Sequence, residues 1–464
     1  MVAATRTRHP QRQVRKGKRY NVDELISANA GVDEESDIEE NDSGSEDEQA
    51  RLSESQAESE DDDEYISPGR KKRRTAGSNK SSKKTKIQRR IPQTAEELGD
   101  DFEENKLYRA LSDPDASIER LALDWIEEYS IGGQNGSIEC VTTLVNLILR
   151  CCGCIHLLQP HDLSNLSSAK ETIGELEIAF RSQKSHEYPF ISNNKNLKFF
   201  KANVVEFFEE IVALSHKKGL LYIERGTSEE GESLASPLVN QVFTWLFTLT
   251  TCPIRPLRYV ATTVLLVIQT QLSRAFSEVN GLLEKHQRQL SNLRKAKRKQ
   301  KAQIDTVQNI VEDFNHKNET LKEYFSDVTD VVFANRYHDI DPMLRQECAS
   351  ALGEWMLTAS DVFLQSSYLK FYGWLLSDPN NSVRSEVTKV LHKLYKQQAS
   401  LGGEGYPSLR VFSDKFKGQM IKMCQIDQDP HVRSYLTLIL QEMIKLDYLE
   451  YSEQTQIISS FMVS

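Results

Sequence analysis

From about residue 96 onward, apolar residues recur at spacings of three and four. Ile118, Leu121, Ala122, Trp125 and Ile126 form one such run. Val204, Val205, Phe208, Ile211 and Val212 form another, and Val239, Val242, Phe243 and Leu246 a third. This period puts each set on one face of a helix. Strand-type alternation is nearly absent. Between Pro256 and Pro342 there is no proline and a single glycine, Gly281, which predicts long, unbroken helices.

One local pattern returns. Asp341-Pro342-Met343-Leu344-Arg345, Asp378-Pro379-Asn380-Asn381-Ser382-Val383-Arg384 and Asp429-Pro430-His431-Val432-Arg433 each read as a helix start. Asp caps the exposed N–H groups, and Pro fits the first turn, where its missing N–H costs nothing. The following Leu or Val points inward, and the Arg is free to pair with an acid on the neighbouring repeat. The arginines lie 39 and then 49 positions apart, the period of two-helix HEAT units. Pro253-Ile254-Arg255-Pro256-Leu257-Arg258 is a looser copy, 87 positions before Arg345. The expected fold is an all-α, HEAT-type α-solenoid with a long projecting helical segment.

Charge separates the first fifth of the chain from the rest. The net charge of −10 over 464 residues conceals three single-sign blocks: +7 in residues 1–20, −18 in 21–65 and +11 in 66–90. Like charges repel and nothing apolar is there to be buried, so residues 1–95 are expected to form a disordered tail. Its cluster Arg70, Lys71, Lys72, Arg73 and Arg74 reads as a nuclear import signal or a nucleic-acid arm. Ser36, Ser45 and Ser59 precede acids, and Ser67 precedes a proline, as kinase substrates do. The expected division of the body is 96–325 for N-terminal helical repeats with a long basic segment, 326–412 for a second helical domain, and 413–464 for a further repeat. Seven cysteines at irregular spacing, with no secretory signal, indicate a reducing compartment. The most apolar stretch, Leu144 to Leu158, is interrupted by Asn146, Arg150 and His156 and is too short for a membrane span.

Catalytic and cofactor motifs are missing. Gly402-Gly403-Glu404-Gly405 has no following Lys-Ser/Thr, and no nucleophile elbow or zincin pair is found. Cys151-Cys152-Gly153-Cys154, near Cys140 and His156, lies in an apolar run and reads as core packing rather than a zinc site. No enzyme, metal or cofactor is expected.

Two features point to partners. Residues 285–304 carry Lys285, Arg288, Arg294, Lys295, Lys297, Arg298, Lys299 and Lys301 and no acid. Single-sign charge round a helix neutralises phosphates and releases counterions, and the lack of interleaved aromatics favours duplex backbone over single strands. Lys217, Lys218, Arg255 and Arg258, at helix ends, are candidates to extend the patch. In the helix from Tyr368 to Asp378, Leu369, Tyr372, Gly373 and Leu376 share a face, whereas Trp374 falls opposite, between Lys370 and Asp378. A large aromatic on a charged face is a candidate anchor for a partner peptide.

These residues also carry a resemblance. Pro256-Leu-Arg-Tyr-Val-Ala-Thr-Thr, a long charged helical region and then Val332-Phe-Ala-Asn-Arg-Tyr-His-Asp339 resemble the stromalin family, the HEAT-repeat accessory subunit of cohesin. The likeness continues through Gly353-Glu-Trp-Met356, Ser360-Asp-Val-Phe-Leu364 and Ser367-Tyr-Leu-Lys-Phe-Tyr-Gly-Trp374 to Asp414-Lys-Phe-Lys417. It runs from about Asn196 to Leu440 and is similar to the N-terminal portion of a longer member, fungal in character. The second helical domain, 326–412, looks like that family's stromalin-conservative domain.

The resemblance implies a non-enzymatic scaffold that binds the kleisin subunit of cohesin and double-stranded DNA, supporting cohesin loading and sister-chromatid cohesion on nuclear chromosomes. It implies DNA contact by Lys217, Lys218, Arg255, Arg258 and the cluster Arg294, Lys295, Lys297, Arg298, Lys299 and Lys301. It also implies a surface that captures short Phe/Tyr-containing motifs of the cohesin loader and regulators, carried here by Tyr337, Trp374, Lys415 and Phe416. Helical winding exposes Trp374 independently, but puts Phe416 on a stripe with Phe412 and Met423, a core-like position. Lys415 stands where animal members have Arg, keeping the charge but not the planar fork. A nuclear-transport-type HEAT adaptor that binds protein cargo is the alternative reading.

Overall fold

Helices account for most of the described residues, as the periodicity from about residue 96 onward predicts. The computed structural model describes residues 105–183, 187–192, 194, 197–223, 234–296, 301–401 and 405–463. The charged tail, with Arg70, Lys71, Lys72, Arg73 and Arg74, lies outside the described residues, as do Lys297, Arg298 and Lys299. The principal helices are α1 (Lys106–Ser112), α2 (Ile118–Ile131), α3 (Gly133–Cys151), α4 (Ala169–Ser182), α5 (Phe200–Lys217), α6 (Pro237–Thr250) and α7 (Arg255–Lys295). They continue with α8 (Lys301–Val328), α9 (Pro342–Thr358), α10 (Ser366–Leu375), α11 (Asn381–Ser400), α12 (Pro407–Ile426), α13 (Pro430–Lys445) and α14 (Tyr451–Val463). Among the described residues β geometry is confined to one isolated bridge between Tyr222 and Ala235.

The arrangement is a HEAT-type solenoid. In one layer α2, α5, α7, α9, α11 and α13 pack each against the next; in the other, α3 and α4 pack on α6, and α10 packs on α12. Leu344, Val383 and Val432, the residues expected to point inward after each repeat start, are all buried. Helices α8 and α12 run through positions 325/326 and 412/413, the expected domain bounds.

An arginine–aspartate ladder fixes each repeat to the next. Arg345 holds both oxygens of Asp378, at 2.7 and 2.8 Å, and Arg384 holds both oxygens of Asp427, at 2.9 Å each. Each guanidinium also donates back to the carbonyl six residues earlier, Arg345 to Asp339 and Arg384 to Asp378. Each rung carboxylate in turn accepts the N–H two residues on. The register differs from the one the sequence suggests. Asp341, Asn380 and Asp429 are the N-caps, whereas Asp339, Asp378 and Asp427 are the rungs. Asp378-Pro379 therefore is not the counterpart of Asp341-Pro342: Asn380 takes the cap and releases Asp378 for Arg345.

Arg258 belongs to the same ladder. It donates to the carbonyl of Cys252, six residues earlier, and grips Asp339 at 2.9 and 3.3 Å. Arg336 joins Asp339 at 2.6 Å. Burial works against the Asp339 carboxylate, but the Asp341 N–H and the Arg258 guanidinium overcome it and hold its pKa below 3.8.

The longest elements form an antiparallel hairpin. Helix α7, 41 residues, spans about 62 Å at 1.5 Å per residue. Helix α8 returns along it, with Phe276 against Phe325, Asn280 against Asn318 and Arg294 against Gln308. Near its far end Leu283, Leu290, Val307 and Val311 form a small core separate from the main one. That short apolar seam lets the segment stand beyond the repeats, as its charge predicts.

Candidate functional site

A single π turn, Thr329–Phe333, follows α8. It drives Phe333 into the core, against Trp355 and Phe371, and leaves Tyr337 half-buried four residues later. Such turns cluster at functional positions. Tyr337 stacks on Trp374, with ring centroids 5.9 Å apart and 27° between planes. Phe371 stands edge-on to Trp374 at 5.6 Å. Trp125, Trp245 and Trp355 are buried, but Trp374 is 52% exposed.

Phe416 closes the other side. A Cβ placed on Gly373 would come within 2.1 Å of the Phe416 ring, so only glycine lets α12 approach α10 this closely. Phe416 is half-buried and also meets Phe412 at 4.7 Å. Tyr337 and Trp374 thus stack together, and Phe416 lies against Gly373, the residue before Trp374; these partly exposed rings make up the aromatic cleft. Lys370 lies 5.6 Å from the Trp374 ring and Lys415 5.6 Å from the Phe416 ring, within cation–π range. The cleft offers aromatic faces beside two cations, a surface suited to an aromatic side chain with an acidic neighbour.

The basic residues separate into three groups. Arg294, Lys295 and Lys301 are exposed at the far end of the hairpin, with Lys285 and Arg288 behind them. Lys217 and Lys218 are exposed at the end of α5, where the neighbouring His216 reaches Glu278 on α7. Lys218 is 3.8 Å from Glu127. Arg255 and Arg258 sit at the opposite end of α7, roughly 60 Å from Arg294 along the helix. Arg255 is exposed but bound to Asp341 at 2.6 Å. The Arg258 side chain is only 9% exposed and committed to Asp339, so it is a structural arginine and not a phosphate contact. The position misleads because a ladder arginine and a surface arginine both stand near a helix start.

The cysteines are apolar packing. All seven are buried free thiols. Burial pushes Cys151 and Cys152 well above the ordinary thiol range and Cys154 up to about 11. Among the described residues no three His, Cys, Asp or Glu gather as metal ligands.

The chain matches the STAG domain over residues 186–310 and the stromalin conservative domain over 338–417. It is 30% identical to cohesin subunit SCC3 of Saccharomyces cerevisiae over 79% of this chain and 32% of that one. It is also 30% identical to cohesin subunit psc3 of Schizosaccharomyces pombe, over 75% and 34%. The chain belongs to the stromalin family. It spans about a third of the length of these relatives. The solved cohesin subunit Scc3 from Z. rouxii aligns with a TM-score of 0.66 at 29% identity, covering 76% of this chain and 38% of that one.

Within this stromalin the two surfaces fall in different domains. The basic residues of the hairpin and Lys217-Lys218 lie in the STAG match, while Trp374, Lys415 and Phe416 lie in the stromalin conservative match, which begins one residue after Tyr337. Sequence reasoning missed Phe371, which braces Trp374, and the role of Gly373. The Phe371-Tyr372-Gly373-Trp374 order carried the signal, since glycine inside a packed helix marks close approach.

Proposed function

We propose that this stromalin chain is part of a non-enzymatic cohesin accessory scaffold that binds the kleisin subunit and double-stranded DNA. In this role it supports cohesin loading and sister-chromatid cohesion on nuclear chromosomes. The reading is carried by the two family domains in order, with relatives named cohesin subunits on both sides of the comparison. Exposed Lys285, Arg288, Arg294, Lys295 and Lys301 support the DNA contact, through backbone charge rather than base reading. The exposed Trp374 in its aromatic cleft supports capture of Phe/Tyr-bearing segments of the loader and regulators. Arg70 to Arg74 would serve nuclear entry.

Co-purification of the tagged chain from nuclear extract tests the scaffold. Recovery of the kleisin subunit supports it. Recovery of transport factors and cargo without kleisin would favour the nuclear-transport adaptor instead.

A further inference from the structure

A second, unassigned region lies further along α12 from Phe416. An open groove of about 930 Å³ runs between the α10–α11 turn and the last turns of α12. Phe416, Gln419, Met423 and Ile426 form one stripe of α12 at spacings of three, four and three, so the groove continues the line of the cleft. Gln419 donates to Ser377 Oγ at 2.9 Å, and Ser377 is one turn beyond Trp374. The stripe ends in half-buried Met423 and in Ile426, which is 64% exposed at the helix terminus.

Charge selects the occupant. The groove's carboxylates are engaged: Asp378 by Arg345, Asp427 by Arg384, and Asp429 by the His431 N–H and Asn381. Lys422 lines the groove and is exposed, and among the described residues no carboxylate pairs with it. Lys370 and Lys415 flank the cleft in the same way. An apolar end, a polar middle and uncompensated cations fit an extended acidic peptide. Ten helical residues separate Phe416 from Ile426, about 15 Å, which an extended chain crosses in about four to five residues.

We infer that the Met423–Ile426 end of this groove is a second specificity pocket, which takes an apolar side chain four to five residues from the aromatic anchor of an acidic peptide. The inference rests on the reading of the aromatic cleft as a peptide site.

The test uses the full chain and fluorescein-labelled twelve-residue peptides with a Phe-Glu-Phe core and Glu/Ser/Gly spacers. One set carries Leu four or five residues to either side of the core; the control carries Ser there. Fluorescence anisotropy should show a Leu peptide binding about tenfold more tightly than the control, the worth of one partly buried apolar side chain. Ile426→Asp, at an exposed site, should remove the difference between the Leu and control peptides, and Lys422→Glu should weaken both peptides. Equal affinity of wild type for every Leu peptide and the control, or an Ile426→Asp variant that keeps the preference, overturns the pocket while the cleft stands. Full-strength binding by Trp374→Ala, or no binding of any peptide, overturns the cleft and the pocket with it.

Discussion

Arg345 on one repeat encloses both carboxylate oxygens of Asp378 at the head of the next, with each side chain almost buried. Removing one partner of a buried pair strands the other's charge, so Arg345→Met should lower the unfolding free energy by about 3–5 kcal/mol. The double variant Arg345→Met/Asp378→Asn should lose less than the sum of the single changes. Urea titration checks both. Arg288→Met, which breaks the exposed pair with Glu284, should change stability by no more than about 0.5 kcal/mol.

The ladder also sets the acid limit. Burial opposes the Asp427 carboxylate, yet the Arg384 fork and the Asp429 N–H outweigh it, and its pKa lies below 3.8, as does that of Asp339. A carboxylate depressed on folding stabilises the fold above its unfolded pKa and loses that contribution as pH falls through the folded value. Urea midpoints should therefore hold from pH 7 to about pH 5 and fall below about pH 4. Asp427→Asn should start lower at pH 7, and its gap to wild type should narrow on acidification.

The helices were legible because Leu344, Val383, Val432 and their periodic neighbours keep the spacing of a packed face. Trp374 was legible for the opposite reason, since it breaks that spacing. The ladder's register was not. Asp-Pro occurs at 341–342 and again at 378–379, and the same dipeptide serves once as cap and first turn, once as rung and loop. What decides is Asn380, two residues on, which accepts the Ser382 N–H. Arg258 was misread because its acid lies 81 residues away, on the far side of the hairpin. Phe416 sits between the two readings: it shares a stripe with Phe412, yet Gly373 draws it to the rim of the cleft.

Trp374 and Trp355 should separate binding from folding. Trp374→Ala removes two aromatic contacts at a half-exposed site, at a cost of about 1–2 kcal/mol, and should weaken binding of the Phe-Glu-Phe peptide about thirtyfold or more. Trp355→Ala empties a buried site and removes the indole N–H bond to Thr270 Oγ1, and should cost about 3–5 kcal/mol. Anisotropy and urea denaturation, run on both variants, make the comparison.

If the end of the α7–α8 hairpin holds duplex DNA, as proposed, affinity should fall steeply with salt. Each phosphate neutralised adds about −0.9 to the slope of log K against log salt. Reversing Arg294, Lys295 and Lys301 to Glu in the full chain should weaken binding of a duplex of random sequence and make that slope shallower by about 2–3. The charged tail is identical in both proteins, so it cancels in the difference. An unchanged affinity and an unchanged slope would mean that the hairpin end does not hold DNA.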